Sequence, residues 1–280
     1  MIYDSHAHLI SDDHERYKPA PPRGTLDEGA LDNPVTAEKL LGLTDDNGVE
    51  KALLVQRATI YGYDNSYVVD SATKYPGRFK AMCAINTFDE NAPELARHWI
   101  AEKGAAGVRM MAAGKSSDAD FFASPTALKV WETAASLGAT IRLHFFRWNR
   151  EAGLDALKEL LPRFPDTTVV VEHLTNLIAG EGSPDYGVDD KLLQLVKFPN
   201  VSLMFSTINL GRLKTDGQPS APVIARVVKS FGANRLMWGS DIAQSEGSYT
   251  EMVEMAHEAL SLLSEDEKLQ ILARTANEIY

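Results

Sequence analysis

Short apolar runs rich in β-branched residues alternate with amphipathic stretches along the whole chain. The runs at 2–6, 51–56, 79–85, 106–110, 139–145, 167–173, 200–206 and 235–239 read as strands. Helical periodicity marks 35–48, 64–75, 91–103, 124–138, 150–163, 188–197 and 220–231, then 248–262 and 265–278. Thr168-Val169-Val170-Val171 is an almost unbroken apolar run, as expected of a strand covered on both faces. A strand followed by a helix, repeated eight times, predicts an α/β fold in the form of a (β/α)8 TIM barrel. An open doubly wound sheet stays as the alternative. Ser124-Pro125 suits a helix N-terminus, and Gly104 and Gly138 suit helix C-termini.

Composition narrows the class. At 280 residues the chain fits one barrel domain spanning 1–280, with no repeat, low-complexity segment or linker to divide it. A hydrophobic fraction of 44% and a charged fraction of 24% are those of an ordinary soluble protein. The net charge of −11 argues against nucleic acid or an anionic membrane as the main partner, but not against a small anionic substrate. No apolar run is long enough to span a bilayer, and no secretory signal is evident, so the expectation is a cytoplasmic protein. Homo-oligomerisation is left open. Cys83 is the lone cysteine, in an apolar run, and reads as a core residue.

The chemistry gathers at strand ends. His6 and His8 close the first strand, His144 the fifth, His173 the sixth, and Asp241 follows Trp238-Gly239-Ser240 after the eighth. In a parallel barrel all of these ends open on one face, so residues far apart in sequence converge there. Residues two apart on a strand point the same way, so His6 and His8 can reach one ion, with Asp4 on the same side, to orient a histidine or to lie deeper in the barrel. The same alternation turns Glu172 away from His173. Imidazoles with a carboxylate suit a zinc-like ion, whose bound water ionises near neutral pH.

Arg109 ends the fourth strand and can hold a substrate carboxylate in a bidentate pair. Gln56 and Arg57, after the second strand, and Arg147, past His144, are further candidates for substrate contact. Arg142 must meet a carboxylate or face outward. His14 lies in the first long loop and is a weaker candidate for the mouth, while His98 and His257 lie in amphipathic helices and read as surface or packing residues. Loops 9–34, 111–123 and 174–187, the second carrying Gly114, Ser116 and Ser117, would surround the mouth. No nucleophile elbow, P-loop, dinucleotide fingerprint or His-Glu-x-x-His is present.

Taken together, Asp4-x-His6-x-His8, Gly107-Val108-Arg109, His144, His173 and Trp238-Gly239-Ser240-Asp241 resemble the amidohydrolase superfamily, in its amidohydrolase 2 branch. Leu53-Leu54-Val55-Gln56, Tyr61-Gly62-Tyr63-Asp64-Asn65 and Tyr75-Pro76-Gly77-Arg78-Phe79 are similar to 2-pyrone-4,6-dicarboxylate hydrolases and sugar lactonases. The resemblance implies His6, His8, His144 and Asp241 as ligands of one divalent metal, zinc first and manganese second. A metal-free mechanism stays open. It implies that Asp241 deprotonates the attacking water, that His173 polarises the substrate and that Arg109 holds a carboxylate. The expected reaction is hydrolysis of a small carboxylated lactone or related cyclic ester. Non-oxidative decarboxylation of an aromatic or enoic acid is the alternative.

Overall fold

Eight parallel strands lie side by side in sequence order: β1 (Tyr3–Ala7), β2 (Lys51–Val55), β3 (Phe79–Ala84), β4 (Gly107–Met111), β5 (Thr140–His144), β6 (Val169–Val171), β7 (Val201–Ser206) and β8 (Leu236–Gly239). This computed structural model describes residues 1–112, 118–180 and 182–280. Gly114, Ser116 and Ser117 of the expected mouth loop lie outside the described residues. Helices separate the strands in the order the periodicity predicts, giving a (β/α)8 TIM barrel. Between β8 and β1 the ring is closed by Asp241 N–H donating to His6 O at 2.7 Å, His8 N–H to Ile242 O at 3.3 Å and the Ser5 hydroxyl to Trp238 O at 2.7 Å. No helix among the described residues is long and apolar enough to cross a membrane.

Local chemistry starts the helices. Thr36 accepts from Lys39 N–H and Ser124 from Ala127 N–H, while Ser248 with Glu251 and Ser264 with Glu267 make reciprocal capping boxes. Among the described residues, three α-helices escape the periodicity. Ala58–Tyr61 and Asp120–Ala123 are a single turn each, and Thr207–Thr215 starts directly where β7 stops. The stretch predicted as one helix over 265–278 is a helix whose middle, Gln270–Arg274, widens into a π-turn.

Apolar side chains from strands and helices form one continuous layer outside the sheet, around Trp131, Phe145, Val171 and Trp238. Inside the barrel, two small clusters fill the lower half: Tyr3, Leu53, Val55 and Met82, and Val170, Met204 and Met237, both topped by Tyr280. Cys83 is buried in the outer layer, and that burial raises the pKa of its thiol.

Gly239 permits the tightest approach in the ring. A methyl group there would fall 2.4 Å from His6 Cβ and 2.8 Å from its backbone nitrogen. Gly239→Ala is therefore expected to push β8 from β1, costing about 1–3 kcal/mol as overpacking does. Its denaturation midpoint in urea should fall, and an unchanged midpoint would show that the seam is more compliant than its contacts indicate.

Candidate metal and catalytic centre

The upper half of the barrel interior is charged. Glu172 is fully buried and sits between two arginines. Arg109 Nε donates to its two carboxylate oxygens at 3.1 and 2.9 Å and Arg109 Nη2 to Oε2 at 2.8 Å, while Arg142 Nε donates to Oε1 at 2.9 Å. His144 Nδ1 lies 3.2 Å from Glu172 Oε2 and His6 Nδ1 lies 3.6 Å from Oε1. Arg142 also donates to Ser5 O at 2.8 Å and to the Tyr280 hydroxyl at 2.9 Å. Burial by itself would raise the Glu172 pKa. Arg109, His6, Arg142 and the hydrogen bond with His144 overcome it and hold the carboxyl well below the ordinary range.

Glu172 corrects the strand reading. β6 ends at Val171, and inward-facing Val170 puts Glu172 on the interior side as well. His173 still faces the same interior because the chain leaves extended geometry: His173, Leu174, Thr175 and Asn176 have φ of 50°, 47°, 57° and 54°. Four such residues in a row strain an L-chain by about 1–2 kcal/mol each. Cross-links hold them there. Asn209 Nδ2 donates to His173 O at 2.8 Å, Arg150 Nε to the Thr175 hydroxyl at 3.0 Å, Asn176 Nδ2 to Phe145 O, and Arg212 to Asn176 Oδ1. The carboxylate and the imidazole thus enter one space, against the expected alternation.

Asp4 also departs from its expected place. The β1–β2 register is irregular between Asp4 and Ala7. Its carboxylate accepts from His6 N–H at 3.0 Å, Ser240 N–H at 2.8 Å and the Tyr249 hydroxyl at 3.0 Å, so it clamps backbone rather than an imidazole.

Three of the predicted donors come together. His6 Nε2 and His8 Nε2 are 3.2 Å apart, and Asp241 Oδ1 is 3.5 Å from the first and 3.4 Å from the second. All three residues are buried. His8 Nδ1 lies 2.7 Å from Val55 O, so it carries the proton and leaves Nε2 a lone pair. His6 Nδ1 faces Arg142 Nη2 at 3.1 Å as well as Glu172. With Arg142 donating there, the His6 proton sits on Nε2 and is shared with His8. Metal binding at Nε2 requires that proton to move to Nδ1, toward Glu172, or to leave. Asp241 has a φ of 58°, and its Oδ2 accepts from the Ser245 hydroxyl at 2.9 Å. Burial would raise the Asp241 pKa, but His8, His173 and the Ser245 hydroxyl bring it below the usual value.

His144 stands beside this triangle rather than in it. Its Nδ1 is engaged by Glu172 and by Arg109 Nη2 at 3.2 Å, and its ring lies edge-on to His173 with centroids 4.9 Å apart. A second group of possible donors, His6, Glu172 and His173, has its carboxylate already saturated by guanidinium groups. His173 Nδ1 is 2.7 Å from the Ser206 hydroxyl.

A cavity of about 220 Å3 opens above the centre, lined by His8, Arg57, Arg109, His144, His173, Asn176, Arg212 and Asp241 among others. Of the residues predicted to touch substrate, Arg109 is in this wall, with Nε and Nη2 committed to Glu172. Gln56 is not in the wall. Its amide donates to Gly62 O at 3.3 Å and Asp64 O at 2.6 Å, bracing the loop after β2. Arg147 lies outside as well, 3.7 Å from Asp216. His14 is also absent from the lining.

Arg57 and Arg212 are the other guanidinium groups of the wall. Arg57 Nε is buried without a hydrogen-bond partner, and burial lowers the Arg57 pKa to about 10, so it stays charged. Burial lowers the pKa of Arg212 too. Arg57 follows β2 by two residues and was legible as a polar contact. Arg212 sits in the helix that the periodicity did not reveal.

Burial also lowers the pKa of His6, His8, His144 and His173, the last to about 3. Below the ordinary imidazole value of about 6.5 the unfolded chain takes up protons that the native centre refuses, so stability falls with pH. Glu172 acts in the same direction, because its depressed native pKa makes acid favour the unfolded chain. The unfolding free energy is expected to drop steadily from pH 6.5 to pH 4, and His173→Gln should flatten that slope by up to one proton. Equal slopes would place the uptake elsewhere. Glu172→Gln, which leaves two buried guanidinium groups without their anion, is expected to cost about 3–5 kcal/mol in denaturant unfolding.

The fold has solved relatives. At 21% identity the chain is similar to a probable 2-pyrone-4,6-dicarboxylic acid hydrolase of Acinetobacter baumannii with citric acid bound, covering 99% of this chain and 98% of that one with a TM-score of 0.74. At 20% identity it is similar to an amidohydrolase of Burkholderia multivorans with bound zinc, covering 100% and 99% with a TM-score of 0.72. At 15% identity it is similar to 5-carboxyvanillate decarboxylase of Sphingomonas paucimobilis, covering 100% and 98% with a TM-score of 0.67. No curated protein matches the sequence. The Amidohydrolase family model matches residues 3–280, and the chain belongs to that family.

Proposed function

We propose that the protein is a metal-assisted hydrolase of a small carboxylated lactone or related cyclic ester. The observation that carries this is the triangle of His6, His8 and Asp241. A tetrahedral ion with bonds of about 2.1 Å separates its donors by about 3.4 Å, and the three donors lie 3.2–3.5 Å apart. Two neutral imidazoles and an ionised carboxylate are the donor chemistry of zinc, with manganese second. The bound zinc of the Burkholderia multivorans relative supports that order. His144, in the same cavity wall, is the candidate to complete the set. A bound ion would supply Lewis acidity that polarises a carbonyl and makes water acidic.

The chain's own groups do the rest. Asp241, ionised at neutral pH and anchored through Ser245, takes the proton of the attacking water. With the Ser206 hydroxyl donating to His173 Nδ1, the proton of that neutral imidazole sits on Nε2 and donates to the developing oxyanion. The ring ester then opens to a hydroxy acid, the alkoxide leaving with the proton that Asp241 took. Arg57 and Arg212 receive the substrate carboxylate. The cavity of about 220 Å3 suits a single small ring. The citrate bound by the Acinetobacter baumannii relative supports an anionic ligand.

A non-oxidative decarboxylase is the second reading, favoured by the decarboxylase among the structural relatives and by the same cationic wall. Carbon dioxide release separates it from hydrolysis, which yields acid without gas.

Elemental analysis of chelator-free protein is expected to find about one zinc per chain, lost in His8→Ala and weakened in His144→Ala. Asp241→Asn should lower kcat on carboxylated lactones by about 10²-fold or more with the fold retained. Full activity in that variant would remove Asp241 from the reaction. Arg57→Met should raise KM by about 10–100-fold with little change in kcat, since a charged hydrogen bond is worth about 1.5–3 kcal/mol.

A further inference from the structure

A second cavity, of about 360 Å3, abuts the first and shares Ala58, Thr59, Met111 and Phe146 with it. The two differ in chemistry. Imidazoles and guanidinium groups line the inner space, whereas Pro21, Pro22, Tyr63 and Ala112 complete the outer one. Arg23, Thr25 and Asp27 are exposed side chains of the same outer wall.

The outer chamber has preformed walls. The loop carrying Pro21 and Pro22 is pinned to the segment after β2: Ala20 N–H donates to Ile60 O at 2.8 Å, and Ser11 N–H to the Tyr61 hydroxyl at 2.9 Å. Gly62 is the contact point. Its φ is 57°, and a methyl group there would fall 2.7 Å from Ala20 O. On the far side, Phe146 stacks on Trp148 with centroids 4.3 Å apart and planes 6° from parallel, and meets His144 edge-on at 4.5 Å. The ring that forms the rim of the catalytic cavity is thereby held in place by an aromatic neighbour.

We infer that the outer chamber is a subsite for an apolar arm of the substrate, so the preferred substrate is a carboxylated lactone whose ring carries an aryl or alkyl chain. This rests on the hydrolase reading and deepens it. A bare ring fills the inner cavity and leaves apolar surface of Pro21, Pro22, Tyr63 and Phe146 in water. An arm passing between Thr59 and Phe146 covers that surface. Each buried methylene strengthens binding about fourfold. The shared wall sets the direction, with the carboxylate facing Arg57 and Arg212 and the arm facing the prolines.

The test compares kcat/KM for a γ-lactone carboxylate with that for the same ring bearing a phenylpropyl group, in the wild type and in Thr25→Trp. Thr25 is exposed, so the added indole narrows the chamber without entering the core. The wild type is expected to favour the substituted ring by about tenfold or more, and Thr25→Trp to bring the ratio near one. Equal rates on both rings in the wild type, or a ratio untouched by Thr25→Trp, overturn the inference. If neither ring is turned over, the hydrolase reading fails, and calorimetric titration of 4-phenylbutanoate against propanoate decides the subsite. Tighter binding of the aryl acid that Thr25→Trp abolishes supports it, and equal affinities overturn it.

Discussion

The buried Glu172 carboxylate, gripped by Arg109 and Arg142, is the interaction on which the rest of the centre depends. Two guanidinium groups inside a barrel are costly to desolvate, and one anion between them supplies both with a partner. That anion also reaches His144 and His6, so the strand ends of β1, β4, β5 and β6 are tied through one side chain. Arg142 carries the tie downward to Ser5 and Tyr280. The apolar lower half of the barrel and the polar upper half meet at this layer. Its charges orient the imidazoles above, where the proton on His6 answers to Arg142 on one side and Glu172 on the other.

Irregular backbone, more than regular strand, aims the candidate residues. The register break in β1 separates Asp4 from His6 and His8, which frees Asp4 to clamp the β8 seam. The left-handed turn at 173–176 turns His173 back to the interior beside Glu172. Asp241, with a φ of 58°, does the same after β8. Strain of this kind persists where the surroundings over-determine it, and it gathers at functional centres. Here Asn209, Arg150 and Arg212 fix the first turn, and Ser245 with the His6 carbonyl fixes the second.

These irregularities mark where the sequence stops being readable. Strand positions were legible because a parallel barrel demands apolar runs at regular intervals, and all eight predicted strands lie within two residues of the observed ends. The sixth differs most, ending two residues early, where the Glu172-His173 pair follows the apolar run in sequence while the chain has already turned. Period-two alternation is a property of extended backbone, so it wrongly set Glu172 opposite His173, where φ turns positive, and Asp4 beside His6, across the register break. The helix at Thr207–Thr215 escaped notice because its apolar positions are few, and Arg212 was lost with it. The gathering of His6, His8 and Asp241 was legible, since it needs only that parallel strands end on one face. The separation of His144 from them was not, because it is set by a hydrogen bond to Glu172 that no local pattern announces.

Charge follows the same division between average and place. The chain as a whole carries a net charge of −11, which should repel anions at long range. Yet the cavity wall holds Arg57, Arg109 and Arg212, with Arg142 beneath. Burial lowers the pKa of the four imidazoles and favours their neutral form, so they do not add to that field. The acidic residues that dominate the total are mostly on the outer surface, where water and salt screen them within about 10 Å. Arg109 and Arg142 are paired with Glu172, so the unpaired cationic field of the wall comes from Arg57 and Arg212. The average charge of the chain and the local charge of the pocket wall are thus of opposite sign.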